Sequence, residues 1–349
     1  MMRKIQILVL LGAFTLAAAA CGGDDGDTTA APAATAAPAT TAAPATTAAL
    51  AVDEGPYLIG FAQLLTSGCD FCADVENGMK EVLEGAGHEL FVLDNEFDVD
   101  ISVANADMMV TKGADIVIFF GPGAAYPVVH QKMRDAGIPL IFMDGKAPDA
   151  DNVWQFGADS PTAGGVGGEF LADYAETNWG GEIDGIVSTF SADWDESSMG
   201  RVTEAMALIT EVDPRWDMDT ITLVDVKLEA EEAQLAFTAF LNANPDADQL
   251  IIYTPTSDVQ ALAAVAVLEA LGRVGDAIVV GHGGDVQIRP ELSDCDSPVK
   301  ASIGYFPDRY GEFLLPMITD ILTGQPVNKT VFVQHEAITC ENISEFYPS

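Results

Sequence analysis

Residues 138–146 read IPLIFMDGK, an apolar run suited to a strand buried on both faces, which then ends on Asp144, Gly145 and Lys146. A carboxylate and an ammonium at the tip of a core strand can grip a polar solute, or can form an ordinary solvated turn. Polar or aromatic tips recur at Thr66 to Phe71, Gly121 to Gly123, Ser191 to Trp194, Thr254 to Asp258, His282 to Asp285, and Tyr305. No pattern for covalent or nucleotide chemistry accompanies them. There is no G-x-S-x-G elbow and no Walker loop, and GPGAAY and GGVGGEF fall short of G-x-G-x-x-G. Asp144 with Asp285 could imitate the two carboxyls of a glycosidase. In a chain with 54 Asp and Glu, however, such a pair carries little weight, and no enzyme is expected. The histidines (His88, His130, His282, His335) show no ligand spacing. CDFC, residues 69–72, has the spacing of a redox motif or half a zinc site, but no second C-x-x-C exists. Neither a metal nor a cofactor is expected.

The tips need elements to position them, and the chain alternates strand with helix. YLIGFAQLL predicts a strand. DVENGMKEVLEGAG places Val75, Met79, Val82 and Leu83 at helical spacing and stops on glycine. HELFVLD, DIVIFF and IPLIFMD predict strands, with helices ISVANADMMVTKGA and AYPVVHQKMRDAG between them. The pattern restarts after FGADSPTAGGVGG. Helices are predicted over EFLADYAETNW, SSMGRVTEAMALITEV, AEEAQLAFTAFLNANP and DVQALAAVAVLEALG, and strands over EIDGIVSTF, DTITLVDV, QLIIYT and AIVVG. The class is α/β, with parallel sheets covered by helices in two similar lobes. KASIGYF, DRYGEFLLPMITDILTG and VNKTVFVQH are left over, so the chain is expected to cross between lobes more than once. Ligands of such sheets sit outside the carboxyl ends of the strands. Two facing lobes would therefore bring all the tips to one cleft.

Composition narrows the partners. The formal charge is −39, which repels nucleic acid and anionic lipid heads, so neither is an expected partner. The 49% hydrophobic content excludes disorder for the body of the chain. At the N-terminus, Arg3 and Lys4 precede an apolar stretch from Ile5 to Ala20, too short for a comfortable span, which predicts an export signal over 1–20. LAAAAC resembles the lipobox of bacterial lipoproteins, which implies cleavage before Cys21 and lipid on that residue. An Ala/Thr/Pro tether follows, so 21–55 is predicted to hold the folded body off the membrane. Cys69, Cys72, Cys295 and Cys340 are then even in number and exported, so disulfides are permitted.

The body, roughly Tyr57 to His335, resembles the periplasmic sugar-binding proteins of the ribose-binding type, the solute receptors of ABC transporters. The resemblance rests on IGFAQLLTSGCDFCADVENGMKEVLEGAGHELFVLD, VTKGADIVIFFGPGAAYPVV, AGIPLIFMDGKAP, FGADSPTAGGVGGEFLADY, MGRVTEA and AIVVGHGGD, in that order and spacing. It implies two doubly wound lobes joined by three crossovers, a monomer, and a solute trapped by hinge closure and passed to a permease. The expected lobes are 56–159 plus 306–327 and 160–305 plus 328–349. Asp144 and Arg201 match a ligand-binding aspartate and arginine of the family, and Phe71 matches an aromatic. Gly145 stands where an arginine often follows, with Lys146 one residue later. Ser257, beside Asp258, falls where Asn is usual. The family's G-F-D has become GHGGD, which leaves Asp285 as a substitute carboxylate, and Tyr305 stands where Gln is common. Phe71, Trp194 and Tyr305 could stack on a sugar ring. These departures put ribose itself in doubt, and a pentose, hexose, polyol or cyclitol fits as well. Alternatives are a nucleoside or furanone signal, or a sensor serving a kinase or chemoreceptor. The resemblance also implies a Cys295–Cys340 disulfide, leaving Cys69–Cys72 as a local pair.

Overall fold

The central strands of each sheet are short, fully buried and mostly apolar runs with both faces covered, as parallel sheets require. In the computed structural model, which describes residues 55–226 and 230–348, β1 (Leu58–Gln63), β2 (Glu89–Asp94), β3 (Ile116–Phe119), β4 (Leu140–Met143) and β5 (Val153–Gly157) alternate with α1 (Asp70–Gly85), α2 (Val99–Lys112) and α3 (Tyr126–Ala136). Every residue of β3 and β4 is buried. The expected export signal 1–20, the lipid at Cys21 and the tether up to residue 54 lie outside the described residues.

The second lobe repeats the scheme. Helices α4 (Ser160–Trp179), α5 (Glu196–Val212), α6 (Ala230–Ala243), α7 (Asp258–Leu271) and α8 (Arg289–Ser293) alternate with β6 (Gly185–Phe190), β7 (Thr222–Asp225), β8 (Leu250–Thr254), β9 (Ala277–Gly283) and β10 (Val299–Gly304). Then α9 (Tyr310–Leu322) returns to the first lobe, where Tyr310, Leu314 and Ile318 join a core with Val75, Met79 and Leu83 of α1. The chain ends with β11 (Thr330–Phe332), β12 (Ala337–Ile338) and α10 (Ile343–Phe346). The first sheet runs β11-β5-β4-β3-β1-β2, all parallel. The second runs β12-β10-β9-β8-β6-β7, antiparallel only at β12.

Three connections join the lobes: residues 158–159, 305–309 and 333–336. One boundary departs from the sequence reading, which gave all of 328–349 to the second lobe. β11 pairs with β5, Thr330 opposite Gln155, so the last crossing comes after Phe332. The pairing covers what would otherwise be an open edge of β5. Other elements also differ: β5, α8, β12 and α10 were not predicted, and α4 starts at Ser160 instead of Glu169. Disulfides join Cys69 to Cys72 and Cys295 to Cys340, the latter tying the end of α8 to the C-terminal segment.

His335 ties the three connections together. The Asp159 N–H of the first donates to its Nε2 at 3.0 Å, and its Nδ1 lies 3.1 Å from the Gly304 carbonyl at the start of the second. Nε2 is therefore the bare nitrogen, and Nδ1 carries the proton that Gly304 accepts.

Candidate functional site

Asp144 sits one residue past β4 with φ at +50°, a left-handed conformation uncommon for anything but glycine, and observed outliers of this kind cluster at functional sites. Its Oδ1 accepts the Ala158 N–H at 2.7 Å, and the Tyr310 hydroxyl donates from 3.3 Å. Gly157 makes room for it. A Cβ there would stand 2.1 Å from Asp144 Oδ1, and φ at 157 is +133°. Burial pushes the Asp144 carboxyl up to about 6, opposed by the Ala158 N–H, the charge of Arg201 and the Tyr310 hydroxyl. The carboxyl thus switches between donor and acceptor chemistry close to neutral pH.

Arg201 faces it from the other lobe. The glycines of GGVGG, read in the sequence as a break, lie inside α4 and let α5 come close. A Cβ at Gly164 would meet the Gly200 carbonyl at 2.2 Å and Arg201 Cα at 2.8 Å, and one at Gly168 would meet Ala205 Cα at 2.6 Å. Arg201 Nε donates to Ser160 Oγ at 3.1 Å and Nη1 to the Pro255 carbonyl at 3.2 Å. Its guanidinium carbon lies 5.2 Å from the Trp194 ring and 5.1 Å from the Tyr305 ring, within cation–π range. Among the described residues it has no ion pair, so most of its five N–H donors remain for an incoming acceptor.

Aromatic rings cover the space beside this pair. Phe71, held at the start of α1 between the two bridged cysteines, stands edge-on to Phe120 and Tyr305, both 6.3 Å away, and to Tyr310 at 5.9 Å. The Phe71–Tyr305 contact crosses between lobes. So does the bond from the Val286 N–H to the Asp74 carboxylate at 2.9 Å.

The remaining candidates divide. Lys146 is exposed at the rim and forms no ion pair among the described residues. The Ser257 hydroxyl is spent on the Gln260 side chain. Asp258 is also occupied: its oxygens take the Ser302 hydroxyl at 2.7 and 2.9 Å, the Gly284 N–H at 2.7 Å and the Asp285 N–H at 3.1 Å. It shapes the loop after β9, which leaves it little to offer a solute. Asp285 is different. It is 1% exposed, and neither carboxyl oxygen has a hydrogen-bond partner among the described residues. Burial, then the charges of Asp258 and Asp74, push it well above the usual carboxylate range. A Cβ on Gly283 would lie 2.4 Å from its Oδ1, so this carboxyl reaches the space beside Gly283 from two residues further along.

Tyr310, Phe120 and Tyr253 are site residues the sequence reading missed. Tyr310 meets Asp144 from 166 residues away, and no local pattern announces that. Its one signal is its place as the first residue of a helix just after a connection between lobes.

Residues 59–326 match the family model for the periplasmic binding protein domain. The chain is 25% identical over 268 residues to the D-ribose/D-allose-binding protein of Pseudomonas aeruginosa, covering 73% of this chain and 79% of that protein. It is 23% identical over 263 residues to the ribose import binding protein RbsB of Escherichia coli, covering 74% and 82%. Among solved structures, the fold is similar to the binding protein of the arabinose ABC transporter from Shewanella sp. ANA-3, bound to α- and β-L-arabinofuranose. There the TM-score is 0.72 and the identity 18%, over 83% of this chain and 94% of that one. It is similar also to an ABC transporter solute-binding protein of Bacillus halodurans holding myo-inositol, with a TM-score of 0.70 and 20% identity, over 84% and 98%.

Proposed function

The chain belongs to the periplasmic binding protein family, and from that premise we propose that it captures a monosaccharide or related polyol between its lobes and delivers it to the permease of an ABC transporter. The observation that carries this reading is that Asp144 on one lobe feels the charge of Arg201 on the other, with no ion pair between them among the described residues, beside Phe71, Trp194 and Tyr305. A carboxyl and a guanidinium suit vicinal hydroxyls, which donate to one and accept from the other through charge-assisted bonds. Aromatic rings suit the apolar face of a sugar. Asp285 supplies a further buried carboxyl for a hydroxyl that the loop leaves unmatched. The comparisons agree with this ligand class, since the relatives named above are ribose, allose, arabinose and inositol binders.

The protein acts outside the cytoplasm as a monomer, held to the membrane only by lipid on Cys21, and carries out no catalysis. Binding is tested by thermal shift and calorimetry against pentoses, hexoses, polyols, cyclitols and nucleosides. A sugar or polyol should raise the melting temperature, and Arg201→Leu should abolish the shift. A nucleoside as sole binder, or binding untouched in Arg201→Leu, would refute the reading.

A further inference from the structure

A one-way chain of hydrogen bonds runs behind the wall that carries Arg201. The hydroxyl of Tyr253 has one proton, and donates it to the Arg201 carbonyl at 2.8 Å. The 2.7 Å contact between the same oxygen and His282 Nε2 must therefore be donated by the imidazole. A neutral ring has a single N–H, so Nδ1 is bare, and the 2.9 Å contact with Tyr305 is donated by the Tyr305 hydroxyl. The direction is thus fixed throughout: Tyr305 to His282, His282 to Tyr253, Tyr253 to the backbone of Arg201. The ring is almost completely buried, with the Arg201 guanidinium and His335 as its charged or titratable neighbours besides the two tyrosines. Burial first, then those two neighbours, hold it well below the ordinary histidine range, so it stays neutral. The neighbouring helix leaves space for the chain. A Cβ on Gly167 would stand 2.7 Å from the Tyr253 hydroxyl oxygen.

We propose that His282 is the positioning residue of this wall: it holds the Tyr305 ring by its hydroxyl and the Arg201 main chain through Tyr253, and so sets where the guanidinium meets the solute. The Tyr305 hydroxyl proton is committed to the imidazole, so any solute group that reaches this oxygen must donate. What the wall grips rests on the function proposed above; the chain of bonds does not.

The test begins with the whole ligand-free protein, labelled with 15N, and long-range proton–nitrogen correlation of the His282 ring. A neutral ring with hydrogen on Nε2 is expected; hydrogen on Nδ1, or an imidazolium at pH 7.5, overturns the proposal. D-ribose, D-allose, L-arabinose and myo-inositol are then titrated by calorimetry. His282→Phe should weaken whichever of them binds by about tenfold or more, the loss of roughly one hydrogen-bonded group. His282→Gln, which can still donate to Tyr253, should recover part of that loss, and Tyr305→Phe should weaken binding while leaving the tautomer unchanged. Unchanged affinity in a folded His282→Phe overturns the proposal; if that variant does not fold, Tyr253→Phe, which cuts the link to the Arg201 carbonyl, decides, and unchanged affinity there overturns it. Should none of the four probes bind the wild type, the sugar reading is what fails. The positioning role is then read from the Arg201 side-chain resonance, which lies over two aromatic rings. It shifts in the His282 variants if the proposal is right and stays in place if it is wrong.

Discussion

At the scale of the residue, Asp144 holds a strained backbone and a desolvated carboxyl, neither of which favours the fold by itself. A group whose folded-state pKa is raised stabilises most below its unfolded value near 3.8, and that contribution is lost as pH rises through about 6. Asp144→Asn keeps a residue that tolerates positive φ and removes the desolvated charge. The ligand-free variant should therefore be more stable than wild type at pH 8, by about 1–3 kcal/mol, with the gap closing by pH 4 in thermal denaturation. Its affinity for the cognate solute should fall roughly ten- to a hundredfold. In the wild type, affinity should weaken as pH drops from 8 to 5 and Asp144 takes up its proton. A variant that binds normally but melts early would make Asp144 structural. The position of Asp144 at a strand tip was legible because an apolar strand ended on a charge. The spent state of Asp258 was not legible, because it depends on Ser302 and the 284–285 amides meeting in space, nor was the burial of Asp285.

At the scale of the element, most strands and helices were legible because their apolar periodicity was strong. The start of α4 was not, since TAGGVGG reads as loop when propensity is weighed alone. Close packing against α5 overrides that propensity. Two substitutions separate the effects. Gly164→Ala puts a methyl group 2.2 Å from a backbone oxygen, so α4 and α5 must part and Arg201 must move. A loss of about 1–3 kcal/mol should accompany weaker solute binding. Gly165→Ala, one residue along, meets nothing within 4 Å and should stabilise by about 0.5–1 kcal/mol, the ordinary gain of alanine in a helix. Chemical denaturation of the two variants checks both signs. If Gly164→Ala matches Gly165→Ala, the close approach does not govern the site. β5 escaped notice for a related reason: VWQFG is short, broken by Gln155, and completed only by β11 from the far end of the chain.

At the scale of the molecule, the two-lobed plan could be expected from the restart of the strand–helix pattern, but the route of the third connection could not. It depends on which sheet offers an open edge, and three residues of β11 carry too little pattern to say. Two bulk properties lead to measurements. Cys295 and Cys340 are 45 residues apart, and breaking that closure by Cys340→Ser should cost about 4 kcal/mol in the chain-entropy model. Denaturant titration with and without reductant checks this; a change below about 1 kcal/mol would show that the C-terminal segment is held by packing. With 54 acidic and 15 basic residues, the surface repels itself, so the melting temperature should climb as sodium chloride is raised from 0.01 to 1 M, the range over which screening shortens from about 30 to 3 Å. A flat or falling profile would mean that the acidic side chains are locally compensated. The bonds of His335 bear on the motion of the whole. Three independent tethers would let two bodies slide, twist and bend against each other. Knotted at one imidazole, the tethers should act as an axle, resisting shear and torsion and leaving opening and shutting as the expected motion. On that expectation the search for the closed state would be travel along a single arc, and a solute would need only to arrive while the jaws stand apart.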